Sequence, residues 1–131
     1  MLRYIKKYPV SLTFILVVVY LSFLKPPSVP RITLFPHADK VAHAGMYFVM
    51  SALLWWEFRR NHKEQVNIRH AWAGAFLFPV LFSGAVELLQ EYCTTHRGGD
   101  WLDFLANTVG IALTSLIAHR LLCSKIRKGT D

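Results

Sequence analysis

An all-α fold, a four-helix transmembrane bundle with both termini inside (N-in/C-in), is what three features of this 131-residue chain predict. Four apolar runs, about 9–24, 40–58, 71–90 and 101–122, each approach the ~20 residues that a helix needs to cross a bilayer. Basic residues stand at the ends of those runs, where membrane insertion places them. Hydrophobic residues make up 53% of the chain although its net charge is +7, an apolarity unusual for a soluble protein. At this length the chain holds one domain. A nucleic-acid binder would gather its cations on one face among stacking aromatics. Here the positive charge reads as topology, so no nucleic-acid partner is expected.

The first run follows Arg3, Lys6 and Lys7 and ends at Lys25-Pro26-Pro27 with no small-x-small cleavage site. It reads as an uncleaved anchor, completed at the interfaces by Lys25 and the flanking tyrosines. Prolines 26, 27, 30 and 36 make the next stretch an irregular connector. The second span ends in Trp55, Trp56, Arg59 and Arg60, an aromatic and basic anchor suited to a cytoplasmic interface. After a short polar loop comes the third span, with Pro79 at its middle. That proline cannot donate to the carbonyl of Ala75, which must find a partner on a neighbouring helix. The fourth span runs into the basic tail Lys125, Arg127 and Lys128. With the N-terminus inside, eleven Lys and Arg residues fall on the cytoplasmic side. Only Lys25, Arg31, Lys40 and Arg97 fall outside, and that bias sets the orientation.

The same orientation brings the unusual polar residues to the outer side. Asp39, Lys40, His43 and Tyr47 open the second span, Glu87, Gln90 and Glu91 close the third, and Asp100, Asp103 and Asn107 open the fourth. Ionisable groups within apolar runs cost about 2.5–3.5 kcal/mol each at a bilayer centre and usually face a bundle interior or a cavity. Spacing by four aligns Asp39, His43, Tyr47 and Ser51 on one helix face, and Glu87 with Glu91 on another. Gly45, Gly84 and Gly110 are expected to let helices approach closely. One outward pocket results, with Arg97 in the loop above it. Structural readings stand beside this one. Glu87 and Arg97 would pair simply to fix helix register; His43 would bond internally; Asp39 and Asp103 would cap their helices.

The segment from Leu34 to His43, followed by Tyr47, resembles the first signature of VanZ-like membrane proteins. Glu87, Gln90, Arg97, Asp103, Asn107 and Gly110 resemble the second. The two cover roughly residues 34–115, and the chain is then a single VanZ-like domain, 1–131. The resemblance implies a multi-pass integral protein of the bacterial inner membrane and an association with low-level resistance to the glycopeptide teicoplanin.

No pattern of a zinc, redox, nucleophile-elbow or phosphate-loop site is present, and neither a cofactor nor a metal is expected. Two function classes follow. The favoured one is a non-catalytic binder that recognises a lipid-linked cell-envelope precursor or a glycopeptide-related ligand among the membrane lipids. The alternative is a small membrane enzyme acting on an envelope lipid phosphate or ester, with a carboxylate or His43 as acid/base. Cys93 and Cys123 are expected at opposite ends of the bundle, about 30 Å apart by helix length, beyond the reach of a disulfide.

Overall fold

The proline that opens the first apolar run also opens its helix. In the computed structural model, which describes residues 1–23, 38–63, 67–93 and 101–129, a short basic helix α1 (Leu2–Lys7) stops at Tyr8. Helix α2 (Pro9–Phe23) then begins with Pro9 in its first position, where the missing N–H has no intrahelical role to lose. The carboxylate of Glu57 supplies the cap, accepting the free N–H groups of Val10 and Ser11 at 3.0 Å each.

That carboxylate comes from α3 (Ala38–Asn61), which overruns the expected 40–58 at both ends. The third apolar run is one helical stretch from Ile68 to Cys93 with an irregular middle. Its parts are α4 (Ile68–Trp72), a π-helical turn (Ala73–Leu77) and α5 (Phe78–Cys93). Asn67 starts it, its side chain accepting the N–H of Arg69 at 3.1 Å. The expectation at Pro79 is met, for the Ala75 carbonyl receives the Ser51 hydroxyl of α3 at 2.7 Å. The wide turn stands directly before that proline, where an α-helical bond cannot form. Helix α6 (Trp101–Gly129) continues seven residues past the apolar limit at Leu122. Arg127 and Lys128 in its last turn suit the negative end of the helix dipole.

Every element is helical, with no strand among the described residues. Side-chain pairs fix the directions. Helices α3 and α6 run parallel, joined by Lys40 to Asp103 at one end, Thr114 Oγ1 to the Phe48 carbonyl midway, and Trp55 Nε1 to Ser115 Oγ further on. Helices α2 and α5 run the opposite way. Gln90 on α5 donates to the Ser22 carbonyl near the end of α2, and Asn61 near the end of α3 donates to the Lys7 carbonyl just before its start. The far end closes on Trp72, whose Nε1 donates to His119 Nδ1 at 3.1 Å. The His119 hydrogen must then sit on Nε2, which faces Cys123 Sγ at 3.6 Å. Cys93 and Cys123 are both free and lie at opposite ends of this arrangement.

Small residues let α3 and α6 meet. A Cβ built on Gly110 would run into the backbone carbonyl of Ala44. At Gly84 it would meet the ring of Phe104 at 3.3 Å. Gly45 differs from its expected role: nothing lies within 4 Å of its Cβ position, because the neighbouring Ala44 carries the contact and Gly45 turns outward.

Two helices are long and apolar enough to cross a membrane, Ile68–Cys93 and Trp101–Gly129. Only 28% of each most apolar window is buried within the protein, leaving Leu81, Leu88, Leu105, Leu113 and Leu116 exposed. Helix α2 is apolar but 15 residues long. Helix α3 is long enough, but Asp39, Lys40, Glu57, Arg59 and Arg60 lie within it and lower its apolarity.

Candidate functional site

Helices α3, α5 and α6 each turn polar side chains inward at the same depth. Tyr47 on α3, Ser83 and Glu87 on α5, and Asn107 on α6 are all buried. Helical spacing explains the set, since Ser83 and Glu87 lie one turn apart and point the same way. The Asn107 amide donates to Ser83 Oγ at 2.8 Å. The Tyr47 hydroxyl has Ser83 and the Glu87 carboxylate as its polar neighbours. Two atoms of this cluster, the Tyr47 hydroxyl oxygen and Asn107 Oδ1, are buried with no hydrogen-bond partner of ordinary geometry among the described residues. Ser83 stands beside Tyr47 without closing such a bond. Asn107 is 0% exposed and Tyr47 1%, so bulk water does not reach them. A buried unsatisfied polar group costs about 1–3 kcal/mol.

Nearer the ends of the helices, Lys40 Nζ lies 3.3 Å from the Asp103 carboxylate, with the two side chains 26% and 14% exposed. This pair ties the first turns of α3 and α6 together between the cluster and that end of the bundle. His43 is half-buried one helical turn before Tyr47. Gln90 is buried one turn beyond Val86, and its amide holds the last turn of α2 through Ser22. Arg97 and the side chain of Asp39, both expected at the site, lie outside the described residues. Among the described residues no group of three His, Cys, Asp or Glu side chains is placed to hold a metal ion.

Two residues that sequence reasoning passed over carry weight here. Ser83 joins Tyr47 to Asn107, and its only sequence signal is its place four residues before Glu87 in an apolar run. Glu57 is 1% exposed and serves α2. It is the one acid between residues 40 and 58, but Trp56, Arg59 and Arg60 around it make it read as part of an interfacial anchor.

The bond that holds Ser83 comes from an amide nitrogen, and an amide cannot take the serine proton as a general base does. Asn107 Oδ1 can only accept, whereas the Tyr47 hydroxyl can donate or accept. A group carrying hydroxyl or amide hydrogens would satisfy both.

No curated protein and no solved structure matches the chain. A family model described as VanZ/LLP1 matches residues 1–123, taking in all the helices that build the cluster and both sets of signature residues. The chain belongs to the VanZ/LLP1 family.

Proposed function

We propose that this protein is a multi-pass protein of the bacterial inner membrane, N-in/C-in with four spans, that binds a lipid-linked cell-envelope group from the outer side. Membrane embedding is supported by the family, by the two long apolar helices and by their exposed leucines. The orientation is supported by the charge bias, eleven cations against four. Helices α2 and α3 complete the four spans; α3 buries Glu57 against α2 and keeps Arg59 and Arg60 for its last turn, and the interfacial residues beside α2 make up its length.

The observation that carries the binding site is the pair of unsatisfied atoms on Tyr47 and Asn107, side chains that both meet Ser83. An acceptor of this kind next to the Glu87 carboxylate favours the glycan hydroxyls or peptide N–H groups of an envelope precursor. Lys40, Asp103, His43 and Gln90 form the surroundings of the cluster. Contribution to glycopeptide resistance of the teicoplanin type follows if the bound group is the one that the drug also recognises.

Tyr47→Phe tests the reading because it removes one unsatisfied atom and little else. Replacing an unpartnered hydroxyl costs almost nothing in stability. The variant should therefore insert at normal levels and melt within about 0.5 kcal/mol of the parent, yet lose retention of purified envelope lipid precursors and any teicoplanin protection in cells. Undiminished precursor retention by both Tyr47→Phe and Asn107→Leu would reject the site. Turnover of a precursor by the purified protein, abolished by Glu87→Gln, would replace binding with catalysis.

A further inference from the structure

A second site lies on the opposite half of the same helix pair. Between α3 and α6, on the lipid-facing side, runs an open groove of about 220 Å³ whose walls include Phe48, Trp55, Trp56, Ile117 and Leu121. Ala52 on α3 and Ala118 on α6 belong to its lining, small side chains that leave room between the larger ones. From Phe48 to Arg59 the groove follows eleven residues of α3, about 16 Å at 1.5 Å per residue. That is close to half the ~30 Å hydrocarbon thickness, the depth of one leaflet.

Charge stands at one end only. Arg59 lines the groove where α3 reaches its last turn. Its guanidinium is exposed and has no acidic partner among the described residues. Arg60 beside it is engaged otherwise, lying over the Trp56 ring at 5.7 Å. Glu57, the nearest acid in sequence, is buried against the start of α2. An apolar channel one leaflet deep that ends at an unneutralised arginine is complementary to a single molecule class, a lipid with an acyl chain and an anionic phosphate.

We infer that the α3–α6 groove is a specific site for an anionic phospholipid, with one acyl chain between Ala52 and Ala118 and the phosphate on Arg59. The inference rests on the membrane embedding proposed above but not on the Tyr47–Asn107 binding site. The lipid fills the space that these small side chains leave between α3 and α6.

The experiment is lipid titration followed by native mass spectrometry of the full chain, with phosphatidylglycerol and phosphatidylcholine as probes. The parent should hold one phosphatidylglycerol in preference to phosphatidylcholine. An arginine near a membrane surface contributes about 1 kcal/mol to anionic lipid binding, so Arg59→Gln should weaken phosphatidylglycerol by about fivefold. Arg60→Gln should leave it unchanged. Ala52→Leu should displace both lipids by filling the groove while keeping every charge. Leu121→Trp, from the other wall, serves the same purpose if Ala52→Leu fails to accumulate. Equal retention of the two lipids by the parent would overturn the proposal. So would equal losses in Arg59→Gln and Arg60→Gln, which mark bulk surface charge, or a dimer that Ala52→Leu dissociates, which marks a second copy in the groove. Loss of precursor retention in Tyr47→Phe with phosphatidylglycerol still bound would leave this site standing independently of the other.

Discussion

Replacing Ser51 by alanine asks whether a proline inside an apolar helix has been accommodated by one neighbouring hydroxyl. Pro79 has no N–H, so the Ala75 carbonyl loses its α-helical partner, and Ser51 takes its place at 2.7 Å. Both residues are buried, Ser51 at 0% and Ala75 at 1% exposure, so water cannot substitute. An unsatisfied buried group costs about 1–3 kcal/mol, while interhelical hydrogen bonds in a membrane average about 0.6 kcal/mol with a maximum near 1.7. The short bond and full burial place Ser51→Ala towards the top of the membrane range, at about 1.5 kcal/mol. Part of that loss belongs to Ser115, whose hydroxyl lies 3.5 Å from that of Ser51.

A double-mutant cycle separates the two parts. In Pro79→Ala the restored N–H satisfies Ala75 from within its own helix, and Ser51→Ala should then cost only about 0.5 kcal/mol. The expected coupling is about 1 kcal/mol, read from unfolding midpoints in mixed micelles. Ser115→Ala removes the acceptor of Trp55 Nε1 but not the Ala75 bond, so it should couple to Ser51 and not to Pro79. Strict additivity of Ser51→Ala and Pro79→Ala would refute the reasoning, because the hydroxyl would then do nothing for the carbonyl that the proline frees.

Glu57→Gln should keep shape while removing the charge from the start of α2, lowering stability by about 1 kcal/mol. It has a spectroscopic companion in Tyr8, just before α2, whose phenol is pushed above its ordinary range by burial, by the Glu57 charge and by Tyr4. The raised value favours the protonated phenol in the fold, so its contribution is full below about pH 10 and fades as pH climbs through the folded value. Glu57→Gln should move the Tyr8 ultraviolet titration back towards the ordinary range, and an unmoved titration would deny the contact. At the α3–α6 crossing, Gly110→Ala drives a Cβ into the Ala44 backbone and should cost about 1–3 kcal/mol. Gly45→Ala enters open space and should be neutral or slightly stabilising, and equal effects at the two positions would place the helix contact elsewhere.

Much of this architecture is legible in the sequence because membrane helices are written in long apolar runs and their charged ends. The helix starts at Pro9 and Trp101 and the partner for Ala75 follow from local chemistry alone. The ends are less legible. Helix α6 runs on to Gly129 because Lys125, Arg127 and Lys128 are good helix formers, although apolarity stops at Leu122. The roles of individual polar residues depend on which helices touch, and no periodicity encodes that. Gly45 and Gly110 look equivalent in sequence, but only Gly110 faces a neighbouring backbone. Gln90 reads as a site residue, and nothing in the sequence shows that its amide also donates to the Ser22 carbonyl of α2. Glu57 looks interfacial until α2 is seen to begin against its carboxylate.

Two buried polar groups on neighbouring turns of α3 show what separates structure from function in this bundle. Ser51 belongs to a network that closes on itself, with the Ala75 carbonyl, Ser115 and the Trp55 indole each supplying what the next requires. Such a network fixes the packing and leaves nothing to offer a ligand. Tyr47, four residues earlier and facing the same interior, belongs to one that does not close, for its hydroxyl and Asn107 Oδ1 remain unmatched around Ser83. Stability alone would favour phenylalanine at the first position, where the hydroxyl makes no bond to lose, whereas Asn107 keeps its donation to Ser83 and leaves only its Oδ1 unmatched. Those two unmatched atoms are what the proposed binding site would satisfy, with hydrogens brought by another molecule.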